Sequence, residues 1–518
     1  MSHMLTLGDI PRKHARLDPN RECLVCEETR LTWNELNRRV NRLANGLAGL
    51  GAGKETKVAV LALNCHRYIE TYYATSKLGA VCVPLNFRLS ANELVYIVNH
   101  AEVEIFLADQ AMLGIAKQIL PQVGRVRHSI VWEAEQEGWI AYEDLLTHSS
   151  ESEPEVEVDE DDLCQLQYTG GTTGLPKGVM ITHRNYLTTA MGMAAGREMQ
   201  PHYATLQVLP IFHTSWWPIL LHHCGGCKAV IARRFDFHEI LKTLERERVT
   251  HVNMVPVLFS WLLNFPDLDK YDLSSIVYFT YAGAPMPEDL LRRCIARFGP
   301  IFEQGYGLTE AAPMATMLRR EDQCRLEGPP EMVRRINSCG RETFVTEVMV
   351  VDEEDRPVKP GEIGEIVVRG KNVMKGYWKD PGLTAKALRN GWLHTGDLAT
   401  VDEDGYIYIV DRKHDMIITG GENVYPFEVE KVLYEHPAVL EAAVVGLPSE
   451  KWGEEVTAAV ALKEGMQATE AELIAFCRAR IAGYKCPKRV IFMESIPKTP
   501  IGKILRRQVR EELKNLPS

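Results

Sequence analysis

The sequence predicts an α/β protein: a large N-terminal domain of helix-covered sheets with a β-rich subdomain, then a small α+β C-terminal domain. Three observations predict it. Short apolar runs alternate with helical patterns over roughly the first three hundred residues, the mark of a sheet layered with helices. After about residue 340 the runs change to half-polar alternation, as in antiparallel strands with one wet face. The length, 518 residues, exceeds what one hydrophobic core spans.

Taken in order, Lys57-Val-Ala-Val-Leu-Ala-Leu63 reads as a buried strand, His66 to Leu78 as a helix, and Ala80 to Pro84 as the next strand. Further strands are expected around Ile105 to Ala108, His128 to Trp132 and Ile276 to Tyr281. Residues 151–162 are crowded with Glu and Asp, which suits a solvated connector. Thr346 to Val351, Gly364 to Arg369 and Tyr406 to Asp411 alternate like half-exposed strands, with turns at Asp404-Gly405 and Gly420-Gly421. A helix from Pro426 to Glu435, strands at Leu440 to Val445 and Val456 to Leu462, and a helix from Glu470 to Arg480 complete the small domain. The change of character places the boundary near Arg412, giving domains 1–411 and 415–518 joined through 412–414.

Apolar residues at 45% and charged residues at 25% exclude a mainly disordered chain. The net charge of −11 argues against nucleic acid and anionic lipid as partners, while leaving room for a local nucleotide site. No apolar run is long enough to cross a membrane, and no signal-peptide pattern opens the chain, so a cytoplasmic protein is expected. The opening Met1-Ser2-His3-Met4 reads as a tag remnant ahead of Met4. The 12 cysteines do not form a disulfide framework at this length. Cys23/Cys26 and Cys224/Cys227 have metal-site spacing, but they read as a buried strand and a turn carrying reduced thiols.

The densest chemical signal is Gln167-Tyr-Thr-Gly-Gly-Thr-Thr-Gly-Leu-Pro-Lys-Gly178. A strand from Cys164 to Tyr168 runs into Thr169, Gly170, Gly171, Thr172, Thr173 and Gly174, then Lys177. Glycines let backbone amides turn toward a ligand, threonines add hydroxyl donors, and a lysine adds charge, all of which suit phosphate oxygens. It is not a Walker A loop, because Lys177 follows Pro176 and precedes Gly178, and a strand rather than a helix follows.

This loop resembles the phosphate loop of the adenylate-forming superfamily: acyl- and aryl-CoA synthetases, peptide-synthetase adenylation domains and firefly-type luciferases. Further motifs follow in the family's order. Pro210-Ile-Phe-His213 resembles its aromatic-His motif, Ala282-Gly-Ala-Pro285 its adenine loop, and Tyr306-Gly-Leu-Thr-Glu310 its YGxTE motif. Trp392-Leu-His-Thr-Gly-Asp397 resembles its TGD motif, and Asp411-Arg412 with Gly420-Gly-Glu-Asn423 its hinge region. Pro497-Lys-Thr-Pro-Ile-Gly-Lys503 resembles its terminal catalytic-lysine loop. The resemblance covers residues 10 to 510 and is closest to fatty-acyl- and aryl-CoA ligases.

The resemblance implies an AMP-forming carboxylic acid–CoA ligase that uses ATP, Mg2+ and coenzyme A, with a mobile C-terminal domain. Carboxylate and α-phosphate are both anions, so the site must neutralise charge on phosphorus and on departing pyrophosphate. By resemblance, Glu310 holds magnesium, Thr309 contacts the α-phosphate, and Lys503 bridges carboxylate and phosphate. Gln304, Gly305 and Tyr306, with Gly283, Ala284 and Pro285, frame adenine; Asp397 and Arg412 hold the ribose; His213 closes the acid pocket. Apart from the family pattern, Lys503 reads as a tail lysine, Asp397 as a turn former, and Tyr306 and His213 as core residues. Gly420 and Gly421 would open a channel for pantetheine after rotation about the hinge.

Two positions depart from the family. Gly170 stands where many members carry Ser, and His414 stands at the hinge where Asp or Lys is usual. The acid pocket is expected from Trp216, Trp217, Tyr281, Ala282, Gly307 and Met314. Those stretches hold no acidic group besides Glu310, which points to an apolar aliphatic or aromatic acid of undecided length. Fatty acid metabolism is one expected setting and a homodimer one expected assembly. The alternative is an acyl-AMP ligase or an enzyme loading a carrier protein, against which stands the lack of a carrier motif after residue 503. A luciferase-type oxygenase shares the motifs, and a non-catalytic binder is disfavoured by the presence of Lys503 and Glu310.

Overall fold

A computed structural model describes residues 5–169, 175–412, 415–419, 422–449, 452–498 and 504–515, with only the backbone of Arg412 and Asn423. The chain divides into two units: residues 1–336 with 340–348 and 368–393, and residues 337–339 with 349–367 and 394–518.

Two sheets build the first unit. In the eight-stranded sheet the strands Leu163–Thr169, Val81–Pro84, Lys57–Leu61, Ile105–Asp109, His128–Trp132 and Ile140–Ala141 run parallel. Parallel strands are covered on both faces, and the Lys57–Leu61 strand is buried at every position, as its unbroken apolar run requires. Lys177–Thr182 and Gly376–Tyr377 extend this sheet antiparallel beyond Leu163–Thr169. The helix His66–Leu78 ends at Gly79, whose φ of 64° lies in the left-handed region that glycine adopts without strain. Thr32, Ser90 and Thr182 each cap a following helix with a reciprocal side-chain box.

The nine-stranded sheet has a parallel centre: Glu22–Cys26, Lys228–Ile231, Ala204–Gln207, His251–Met254, Tyr278–Ala282 and Phe302–Gly307. Its two faces differ. Leu206, Val252, Phe279 and Phe302 stand in register on one face, inside a large apolar cluster. One residue along, the other face carries Thr205, Gln207, His251, Asn253, Thr280 and Glu303, and these are buried as well.

In the second unit, Trp392–Val401 pairs with Ile407–Arg412, with Asp397 opposite Arg412 and Leu398 opposite Asp411. A further sheet pairs Val439–Ser449 with Gly453–Leu462, and adds Ile417–Thr419, Glu422–Val424 and Arg489–Phe492. Its period-two alternation serves two layers: Ala442 and Val444 pack with the helices Pro426–Tyr434 and Glu470–Arg478, while Ala443 and Val445 pack with Val509 and Leu513 of Arg506–Lys514.

The division differs from the boundary expected near Arg412, because the strands before it group with the C-terminal segment. Asp411 Oδ2 accepts the Phe427 amide at 2.7 Å, and Arg506 pairs with Glu430 at 2.6 Å and Asp415 at 3.1 Å. Cys23 and Cys26 lie buried in their strand, all 12 cysteines are free, and no metal-binding cluster occurs among the described residues. No helix of the described residues is long and apolar enough to cross a membrane.

Candidate active site

Thr169 ends one strand and Lys177 begins the next, paired across the hairpin. Gly170, Gly171, Thr172, Thr173 and Gly174 lie outside the described residues. The hairpin fixes where their loop leaves and returns. Gly376–Tyr377 pairs with Met180 and Val179 of the same hairpin, and this brings the Tyr377 ring 5.9 Å from Lys177 Nζ.

Thr309 and Glu310 form a short turn after the strand Phe302–Gly307. Tyr377 donates its hydroxyl to Glu310 Oε1 at 2.8 Å, and the Met374 amide donates to the Glu310 carbonyl at 2.8 Å. Asn372 braces the same turn through the carbonyls of Ala311 and Met314, both at 2.8 Å. Burial, and then the Glu310 charge, push the Tyr377 phenol well up, so it stays a donor. Glu310 and Lys177 thus meet at one tyrosine that sequence reasoning missed, with Thr309 next to Glu310 in the turn. Its only sequence signal is Gly-Tyr-Trp at the end of a strand-like run, and the pairing that places it spans about two hundred residues.

The adenine-loop residues lie at the carboxyl ends of neighbouring parallel strands, where Ala282 pairs with Gly305. Gly283 has φ 84°, and Gly283, Ala284 and Pro285 are exposed. Gln304 accepts the Tyr281 hydroxyl at 3.0 Å, and Tyr306 is buried. Gly307 must be glycine, because the Pro313 carbonyl occupies the place a Cβ would take.

His213 stands on a loop pinned by its neighbours. Asn64 accepts the Ile211 amide at 2.8 Å and donates to the Leu209 carbonyl at 3.0 Å, while Gln207 donates to the carbonyls of Leu209 and Ser215. Phe212 packs against the His213 ring and edge-on to Phe87. Burial, helped by Arg88, pushes His213 down to about 4, so its ring is neutral near pH 7.

Trp217 packs with Met193, Leu221 and Met314, and Ala282, Met199 and Met317 line the same cluster. Two expected pocket residues stand elsewhere. Trp216 is wholly buried against the rings of Tyr72 and Tyr186. Tyr281 points to the opposite sheet face and donates toward Gln304 and Gln323. Tyr281 departs because adjacent strand residues alternate between faces, and Trp216 because it precedes Trp217 on a helical turn that points the two rings apart.

Charged residues outside the stretches named for the acid pocket also stand beside the Trp217 cluster. Arg197 and Glu303, each 4% exposed at the side chain, form an ion pair beside this cluster, and Thr280 joins both. The Arg197 guanidinium lies 5.8 Å from the Trp217 ring and 5.5 Å from that of Tyr278. Burial pushes Arg197 down to about 10. Glu303 precedes the Tyr306-Gly-Leu-Thr-Glu310 motif, and the sheet turns it to the same face as Thr280.

In the second unit, Asp397 is buried, and its amide donates to Thr395 Oγ1 at 3.1 Å. Gly396, at φ 74°, donates its amide to Glu365. Arg412 is placed opposite Asp397 by its backbone. His414, Gly420, Gly421 and Lys503 lie outside the described residues. The residues flanking the Lys503 loop, Lys498 and Ile504, form an antiparallel bridge, and Lys498 pairs with Glu441.

Comparison with known proteins matches the family described as AMP-binding enzyme over residues 11–378 and its C-terminal domain over residues 428–503. The chain is 40% identical over 511 residues to a feruloyl-CoA synthase of Amycolatopsis sp, covering 97% of this chain and 98% of that protein. It is 35% identical over 517 residues to the long-chain-fatty-acid–CoA ligase FadD13 of Mycobacterium tuberculosis, covering 98% and 99%. Among solved structures it is similar to the o-succinylbenzoate CoA synthetase of Bacillus subtilis in complex with its acyl-adenylate intermediate. There the TM-score is 0.85 at 30% identity, covering 97% of this chain and 98% of that one.

Proposed function

The chain belongs to the AMP-binding enzyme family as an ATP-dependent acid–CoA ligase, and we propose that its acid is aromatic rather than a long-chain fatty acid. The observation that carries this reading is Trp217, 4% exposed and held by Met193, Leu221 and Met314 on one side and the Arg197 guanidinium on another. A ring fixed in this way would wall a pocket that takes a flat acid in preference to a long alkyl tail. The 40% identity to a feruloyl-CoA synthase supports the same choice.

The roles follow from charge and reach. The carboxylate oxygen attacks the α-phosphorus, the bond to pyrophosphate breaks, and acyl-AMP forms; the coenzyme A thiol then attacks the acyl carbonyl and AMP leaves. The loop from Thr169 to Lys177 would hold phosphate oxygens. Glu310 and Thr309, neighbours in one short turn, offer oxygen donors that would fit Mg2+, which when bound would neutralise charge on the phosphates. Asp397 and Arg412 would hold the ribose, and Lys503 would neutralise the forming acyl-phosphate bond. His213, neutral and apolar-backed, would wall the reacting carboxylate without competing for it. Rotation of the C-terminal domain about His414 would clear Lys503 and bring Gly420 and Gly421 to a pantetheine channel. A cytoplasmic setting accords with this chemistry.

The test is pyrophosphate release from ATP with aryl and alkyl acids, with and without coenzyme A. Arylpropenoates should outrun palmitate by at least about 100-fold in kcat/KM. In Trp217→Ala, longer or bulkier acids should gain, at about 0.8 kcal/mol for each methylene newly buried. Preference for palmitate by the unaltered enzyme, or an unchanged profile in the variant, would remove Trp217 from the pocket.

A further inference from the structure

The polar face of the nine-stranded sheet has buried groups that the roles above leave unused. Thr205 and Gln207 on one strand and His251 and Asn253 on the next share this face. His222, on the helix Trp217–Cys224, meets it from above, its ring 4.7 Å from that of His251. These five residues are between 1% and 6% exposed. Yet Thr205 Oγ1, Gln207 Oε1, His222 Nε2, His251 Nε2 and Asn253 Oδ1 have no hydrogen-bond partner. Buried polar atoms without partners are rare in native proteins, and several on one face ask for a ligand or water.

The partnered ends of three of these side chains fix what the open ends can accept. Gln207 gives its amide nitrogen to the Leu209 carbonyl at 2.7 Å and the Ser215 carbonyl at 3.1 Å, so its open atom is the oxygen. His222 Nδ1 lies 2.8 Å from the Pro218 carbonyl, which only accepts, so the hydrogen is on Nδ1. His251 Nδ1 lies 2.8 Å from Thr250 Oγ1. That hydroxyl already donates to the Ala204 carbonyl at 2.9 Å, so His251 Nδ1 is again the donor. Burial first, with Arg197 among the further causes, keeps both rings neutral. Each Nε2 is therefore a bare lone pair. Three fixed acceptors face a layer in which the buried cation, Arg197, is already held by Glu303 and Thr280.

Ring and cation contacts link this wall to Trp217. Tyr278 stacks on His251 at 5.1 Å, and Arg197 lies between Tyr278 and Trp217. We infer that the acid taken by this enzyme carries a hydroxyl group on its ring, away from the carboxylate, which donates to acceptors on this face. The inference rests on the reading of Trp217 as a wall of an aromatic-acid pocket. A second carboxylate would be repelled by the open oxygens and lone pairs. A methyl ether or an unsubstituted ring would leave them unpaired. A site built for a hydroxyl discriminates strongly against the analogue lacking it.

The experiment measures pyrophosphate release by the unaltered enzyme for three phenylpropenoates: one with a free ring hydroxyl, its methyl ether, and the unsubstituted acid. The hydroxylated acid should lead in kcat/KM by at least about 100-fold, with the difference largely in KM. In His251→Phe and His222→Phe, the ratio between hydroxylated and unsubstituted acids should shrink by about 10-fold or more. Equal kcat/KM for the three acids in the unaltered enzyme would mean that the acceptors hold water only, and would overturn the inference while the aromatic pocket stands. Turnover of palmitate with none of the three aryl acids would overturn both. The measurements on the unaltered enzyme decide the matter even if a variant fails to fold.

Discussion

The two faces of the nine-stranded sheet are built from the same strands and are equally dry. On one, Leu206, Val252, Phe279 and Phe302 are at most 1% exposed and lie in a large hydrophobic cluster. On the other, Gln207, Asn253, Thr280 and Glu303 are between 2% and 6% exposed, Thr280 and Glu303 hold Arg197, and two neutral histidines share the layer. Polar groups cost stability when buried unless they are paired, so the second face is a poor way to build a core. The difference teaches that burial alone does not separate core from site. In a strand that alternates apolar and polar within a covered sheet, the polar half marks a wall kept for a ligand.

Truncating the apolar face should produce the largest effect on stability. Phe279→Ala removes a fully buried ring that meets Phe259, Phe298 and Phe302, and should cost about 3–5 kcal/mol, read as a lowered urea midpoint. The order of preference among acids should not change in the molecules that remain folded. A changed preference would mean that the two faces are not separate in function.

The polar face should respond in both respects. Glu303→Leu leaves the Arg197 charge buried without its partner and should cost about 3 kcal/mol, with a changed acid preference as well. A cost below about 1 kcal/mol with an unchanged preference would show that Arg197 finds water, and the contrast between the faces would fail.

How much of this was legible in the sequence follows from the range of the forces involved. Local periodicity gave His66–Leu78, His128–Trp132 and Thr346–Val351 as they stand in the structure, because alternation and helical spacing are written in neighbouring residues. Lys177, Thr309 and Glu310, named from motif order, lie in the same unit of the chain. Trp216 and Tyr281 were expected beside Trp217 because they are near it or its motifs in sequence, yet one step around a helical turn or along a strand points a side chain elsewhere. Tyr377, Arg197 and Glu303 were missed because pairing between distant strands and helices brings them in. Composition near residues 197 and 303 says only that a charge is present, not that the fold will bury it.

The polar face should also be the more sensitive to acid. Burial pushes His222 down to about 3, and His251 falls well below its ordinary value, whereas the apolar face has no titrating group among its four register residues. A histidine with a lowered folded-state pKa binds its proton in the unfolded chain first. Its contribution is therefore present above pH ~6.5 and is lost as pH falls from there toward its folded value. Each such ring should steepen the loss by about 1.4 kcal/mol per pH unit in that window. In His222→Gln, the slope of stability against pH between about 6 and 4 should fall by one proton. An unchanged slope would mean that His222 is already protonated in the folded state, and its Nε2 would then not be an acceptor.

The smallest effect belongs to the other sheet, where a polar contact is paired and should act on one step only. Tyr377 touches Glu310 through a single hydrogen bond of 2.8 Å, while its ring stands 5.9 Å from Lys177 Nζ. Tyr377→Phe keeps the ring beside the lysine and removes only the donor. The carboxylate then loses the group that fixes its rotamer, although the Met374 amide still holds its backbone at 2.8 Å. A hydrogen bond to a charged group is worth about 1.5 kcal/mol, close to a factor of ten in an equilibrium constant. If Glu310 must be aimed before it can take a cation, the Mg2+ concentration for half-maximal pyrophosphate release should rise about five- to tenfold. The rate at saturating Mg2+ should remain close to that of the unaltered enzyme, and the acid preference set by the distant polar face should not move. A fall in the Mg2+ requirement would mean that the tyrosine competes with the cation for Glu310 instead of preparing it. An equal loss at every Mg2+ concentration would make Tyr377 a support for the Lys177 hairpin alone.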